Sequence, residues 1–230
     1  MLREPEINAK YFEMLKLFMD NCPPGPIVSY CPFGIHSIAA EGRVHGITPG
    51  QWYGPQMISI VLRNVAQKLD PVFNFKMYVC LDSNIFLDEL EELANKNFGI
   101  FIMVPIRLGI DSIQPQYLTQ CKELFQFPQN VGIAGGKDHM ALYLCGIEDA
   151  TNPKAGFFYL DPHFVHSAIP RKAVMNPNLS ESLRPYLSQY HTTTLRCLAP
   201  NDMCTSLAPG FYIRNREEFQ DWKKRVQLMK

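Results

Sequence analysis

Apolar side chains recur along this chain with two periods, and the change from one to the other divides it into elements. Tyr11, Met14, Leu15 and Phe18 occupy the i, i+3, i+4 and i+7 positions of an amphipathic helix over residues 7–19. The CPPGP run at residues 22–26 ends that helix in a stiff loop. Residues 33–40 predict a short helix stopped by Gly42. Pro55 suits the first turn of a helix reaching residue 69, with Ile58, Val61, Leu62, Val65 and Leu69 toward the core. Residues 73–81 predict a strand with Lys76 as its one charge, and residues 85–96 a helix whose acidic side is a solvated face. Residues 98–105 are almost wholly apolar, as a central strand is.

Beyond this point the elements alternate. A helix begins at Pro115 and covers residues 115–127. Residues 131–134 lead into Gly135-Gly136-Lys137, and residues 140–146 and 157–160 predict two strands paired through the loop 147–156. After His163 the pattern is less regular, with Pro170, Pro177, Pro185 and Pro200. A last strand, residues 207–213, precedes a terminal helix, residues 216–229, with Phe219, Trp222 and Val226 on one face. Helices come first, and then an antiparallel sheet with helices packed against it. The fold class is α+β, in one domain spanning residues 1–230.

Composition narrows the function classes. Apolar content of 47% with 19% charged residues describes a globular chain with a sizeable core. The 22 basic and 22 acidic residues cancel and form no cluster, so nothing points to nucleic acid. The charged start, MLREPEINAK, is not a signal peptide, and the most apolar segment, residues 98–110, is broken by Pro105 and Arg107 and too short to span a bilayer. Seven cysteines without a CxxC spacing argue against a disulfide framework and for a reducing cytoplasm, with free buried thiols as the expectation at each.

The candidate chemistry centres on Asp161-Pro162-His163, at the end of the strand 157–160. On an extended chain residues i and i+2 share a face, which sets a carboxylate beside an imidazole: the base and orienter of a nucleophilic triad, without the nucleophile. The same tripeptide is also ordinary turn chemistry. Gly135-Gly136-Lys137 is not a phosphate loop, because three residues rather than four separate Gly132 from Gly136 and Asp138 follows the lysine. Asp161, His163 and His166 lie close in sequence without a fourth partner at a recognisable spacing, so no metal and no cofactor is assigned. The Gly- and Pro-rich loop 46–56 keeps Trp52 and Tyr53 near the surface, either as a functional loop or with Trp52 packed under the next helix.

The runs IAGGKDHMALYLCG (residues 133–146) and FFYLDPH (residues 157–163) resemble the core of the autophagins, the autophagy-related cysteine proteases. PFGIHSIA (32–39), GQWYGP (50–55), VPIRLG (104–109), FPQNVGIAGGK (127–137) and APGFYIRNREEFQDW (208–222) resemble the same family in the same order, over about residues 10–228. The resemblance implies a papain-like fold. It also implies cleavage of a ubiquitin-like autophagy modifier after its C-terminal glycine, in the precursor and in the form conjugated to phosphatidylethanolamine. The modifier is the expected partner, and autophagic membranes are reached only through it. Carried onto this chain, Asp161 and His163 are the catalytic pair, and Trp52 covers the groove for the glycine tail. Gly135, Gly136, Lys137 and Asp138 belong to that groove, whose gate is residues 137–140. Asp138 stands where the family usually has proline.

The family's nucleophile lies in a Trp-Gly-Cys block. Neither Trp52, followed by Tyr53, nor Trp222, followed by Lys223, begins one. The chain is expected to start within the family's second major helix, so that the papain-like fold lacks its N-terminal helical part and a core face of the sheet is left open. Three readings follow: part of an active protease, a non-catalytic modifier-binding pseudoprotease, or a protease in which another cysteine acts, with Cys31 as the remote candidate.

Overall fold

The structure, a computed structural model, describes residues 9–20, 31–69, 74–81, 84–96, 98–152 and 154–229. In chain order its elements are α1 (Ala9–Lys16), α2 (Ile35–Val44), α3 (Pro55–Gln67), β1 (Phe75–Val79), α4 (Leu87–Asn95), β2 (Gly99–Met103), β3 (Ile106–Arg107), α5 (Pro115–Leu124), β4 (Asn130–Lys137), β5 (Met140–Ile147), β6 (Phe157–Leu160), α6 (Arg171–Val174), α7 (Leu179–Leu183), β7 (Arg196–Leu198), β8 (Ser206–Ile213) and α8 (Arg216–Leu228). They fall into two units, one taking the chain up to Gln51 with Phe164–Thr194, the other Trp52–His163 with Leu195 onward. The CPPGP run lies outside the described residues, as do the first two positions of the expected 7–19 helix and the first of the expected 73–81 strand.

The first unit is helical. Phe12, Met19, Cys31, Ile169, Val174, Leu179 and Leu183 form its core. Helix α2 does not stop at Gly42, which is buried within it. It runs to Val44 and is closed at Gly46 (φ +80°), where the N–H of Gly46 bonds the Arg43 carbonyl and that of Ile47 bonds the Gly42 carbonyl, both at 3.0 Å. This paired closure needs a left-handed residue one position past the cap, which Gly46 supplies and Gly42 does not. Cys31 is fully buried and disulfide-bonded, contrary to the expectation of free thiols at every cysteine.

The second unit is built on a sheet of order β1-β2-β8-β4-β5-β6-β7, with β3 pairing beside β8. The fold is α+β, as expected, but the sheet is mixed. β1 and β2 run parallel, and the remaining pairs are antiparallel. The reason is α4, which lies between β1 and β2 in the chain and serves as the crossover that a parallel pair requires.

Both faces of β2 are covered. Ile100 and Ile102 pack with Leu90, Phe219 and Trp222, while Met103 packs with Val79, Ala208 and Leu62. That explains the unbroken apolar run, since a strand buried on both sides has no polar position to alternate with. Helix α8 is started by Asn215, whose side chain accepts the N–H of Glu218 at 2.9 Å, while Glu218 returns to accept the N–H of Arg214 at 2.9 Å. The first bond satisfies an N–H that the opening turn leaves orphaned, and the second ties the residue before the cap to that turn; Phe219 and Trp222 follow and are buried in the core. Farther along, β5 alternates: Leu142 and Leu144 are buried, whereas Tyr143 is exposed opposite Leu160, also exposed. Tyr143 and Leu160 therefore share the outward side of the β5–β6 ribbon.

Candidate active site

Strand β6 ends at Leu160, and Asp161-Pro162-His163 turns away from the sheet. The carboxylate Oδ1 of Asp161 accepts the backbone N–H of His163 at 3.0 Å and meets ring nitrogen Nδ1 of the same residue at 2.8 Å. The i to i+2 bond is the Asx turn that an aspartate forms readily. The two residues meet, but strand alternation is not the cause. The turn brings them together, and the turn reading and the base-orienter reading describe one geometry.

The Asp161 side chain is 7% exposed, and its second oxygen lies 3.7 Å from the guanidinium of Arg196 on β7. The backbone N–H and ring of His163, and then the charge of Arg196, hold the Asp161 carboxyl below its ordinary range. A carboxylate held ionised can orient the imidazole and stabilise its charged form. With Nδ1 turned to Asp161, Nε2 is the nitrogen left for chemistry, and it has no partner among the described residues. Arg196 was missed in the sequence because its strand is three residues long, too short for any periodicity to show.

The glycines expected to precede a gating loop are not in a loop. Gly135, Gly136 and Lys137 lie within β4, paired with Leu142, Ala141 and Met140, and only Asp138 and His139 form the turn. His139 carries φ +56°. Trp52 is not packed under α3, since it is 65% exposed. With Tyr53, Ile58, Gly135, Lys137 and Asp138 it lines a cavity of about 850 Å³. Asp111 and residues 201–206, including Cys204, also line it, and nothing in the sequence marked them. Gly136, Asp161 and His163 are not among the lining residues.

No described cysteine has the setting of a nucleophile. Burial pushes Cys80 and Cys121 up to about 12. Cys145, Cys197 and Cys204 are also raised, first by burial and in the last two by the nearby carboxylates of Glu148 and Asp138. A catalytic thiol is lowered, by a helix N-terminus or a cation. Cys31, the remote candidate, is buried in a disulfide and offers no thiol. Among the described residues no three His, Cys, Asp or Glu side chains gather as a metal site would need, and His166 is exposed. No described helix is long and apolar enough to cross a membrane.

Comparison with known proteins agrees with this architecture. Residues 2–225 match the peptidase C54 catalytic domain. The chain is 33% identical over 225 residues to a protein named "Probable cysteine protease atg4" in Aspergillus niger, covering 95% of this chain and 51% of that protein. It is 31% identical over 226 residues to "Cysteine protease atg4" of Emericella nidulans, with 94% and 51% covered. It is 30% identical over 244 residues to "Cysteine protease ATG4A" of Oryza sativa subsp. japonica, with 95% and 48% covered. The chain thus spans about half the length of the curated relatives it matches. On a match that runs through almost every element described, this chain belongs to the peptidase C54 family of cysteine proteases.

Proposed function

We propose that this chain supplies the base, the orienting carboxylate and the tail groove of a cysteine protease that cleaves a ubiquitin-like autophagy modifier after its C-terminal glycine. His163 is the base and Asp161 its orienter. The observation that carries this reading is the 2.8 Å contact between His163 Nδ1 and Asp161 Oδ1, with Nε2 left for the thiol. In this reading His163 pairs with a thiolate and later protonates the leaving group. That thiol comes from residues other than the described cysteines. In this reading the tail lies in the cavity lined by Trp52, Gly135, Lys137 and Asp138, with Gly136 next to Gly135 in β4. A narrow groove admits glycine backbone and rejects side chains, which is specificity by steric exclusion.

The same reading covers the precursor and the lipid-conjugated modifier, with the protein in the cytoplasm and autophagic membranes reached through the substrate. The test uses the complete protein and both substrates. His163→Ala is expected to abolish cleavage and leave modifier binding intact. Cleavage that persists would remove His163 from the mechanism.

A second reading is a modifier-binding pseudoprotease, in which the described free thiols, all raised rather than lowered, take no part in chemistry. It expects the modifier to bind this chain, with Trp52→Ala weakening the complex and no labelling by active-site thiol probes. A titration with no binding would dismiss it.

A further inference from the structure

The hydroxyl of Tyr53 is an anomaly beside the cavity. Tyr53 lines the cavity beside Trp52, yet its Oη is buried and has no hydrogen-bond partner among the described residues. Buried polar atoms are nearly always paired, and one left unpaired costs its full desolvation. A phenylalanine at this position would fill the same space without that cost. The hydroxyl therefore disfavours the empty state.

We infer that Tyr53 Oη is the anchor for the main chain of the modifier's glycine tail. This rests on the reading of the groove given above and adds a positioning residue to it. A glycine tail has no side chain to recognise, so recognition beyond steric exclusion must use its peptide N–H and C=O groups. A tyrosine hydroxyl can donate to a carbonyl and accept from an N–H. Oη is shielded from water, so the tail reaches it by displacing part of the wall. Trp52 lines the same cavity next to Tyr53 and is 65% exposed. The tail thus exchanges an orphaned hydroxyl for a paired one, a gain available only in the bound state.

The experiment is a pair of titrations with the 230-residue chain. One uses a ubiquitin-like autophagy modifier ending at its processed glycine, the other the same modifier with the tail removed. Tyr53→Phe is expected to weaken binding of the tailed modifier about tenfold. It should leave affinity for the tail-less form unchanged and should not lower the thermal midpoint. If the wild type prefers the tailed form and Tyr53→Phe keeps that preference in full, the inference falls while the groove reading stands. Equal losses for both forms, or a lowered midpoint, would assign the hydroxyl to the fold and also overturn it. A wild type that does not discriminate the two forms overturns the groove reading itself, and the inference with it.

Discussion

Oδ1 of Asp161 bonds two groups of one residue, the N–H of His163 at 3.0 Å and its Nδ1 at 2.8 Å. One turn thus sets both the position and the tautomer of the imidazole. The N–H bond, the ring bond and then Arg196 hold the carboxyl below its ordinary value of 3.8. A depressed carboxyl contributes stability that is full above its unfolded value and is lost as pH falls through the folded one. The stability that comes from the depressed Asp161 carboxyl is therefore present above its ordinary value and is lost as pH falls below it. Carboxyl NMR should give Asp161 a midpoint under 3.8. The stability gap between wild type and Asp161→Asn should shrink in that acid range, and a midpoint at or above the ordinary value would contradict the geometry.

The two tryptophans should behave oppositely. Trp222 is fully buried, stacked on Phe219 and edge-on to Phe211. Trp222→Ala is expected to cost about 3–5 kcal/mol in urea unfolding. Trp52 is largely exposed, and Trp52→Ala should change stability by no more than about 0.5 kcal/mol while weakening modifier binding. A large stability loss at Trp52 would mean that it is a packing residue.

Adjacent glycines in β4 should also separate. Gly136 has φ +156°, and a Cβ there would run into the carbonyl oxygen of Met140, a backbone atom that cannot step aside. Gly136→Ala is expected to cost about 1–3 kcal/mol and to speed amide exchange at the β4–β5 turn. At Gly135 the nearest atom is a methyl of Leu207, the end of a flexible side chain, so Gly135→Ala should be milder. Equal penalties would show that crowding, not backbone geometry, governs this hairpin.

Thiol reactivity offers a fourth check. Cys145 and Cys197 are exposed but raised by burial, so their thiolate fraction at pH 7 should fall below that of free cysteine. Iodoacetamide labelling of the folded chain, followed by mass spectrometry, should be slow at both and should accelerate only above the pH range in which free cysteine gains its thiolate. Cys80 and Cys121, pushed to about 12, should label only on unfolding. Rapid labelling of any of these four at pH 7 would reveal an activated thiol and restore a nucleophile to this part of the chain.

What the sequence by itself determined is the local and the periodic. The doubly covered strand β2 is visible in an unbroken apolar run, α8 in its spaced aromatics, and α3 in Pro55 followed by apolar positions at helical spacing. Asp161 and His163 were legible because an aspartate and the residue two positions on contact each other through local bonds alone. Tertiary structure decided what depends on partners distant in the chain. The parallel pairing of β1 with β2 required a crossover to be placed, and the expected gate at residues 137–140 shortened to the two-residue turn Asp138-His139 because Lys137 pairs with Met140. β7 is too short to carry a period, so the approach of Arg196 to Asp161 exists only once β6 and β7 pair. The cavity wall at Asp111 and residues 201–206 is assembled from segments whose own sequences are ordinary loops. Periodicity reports which side of an element is apolar, and it carries no information about which element will cover that side.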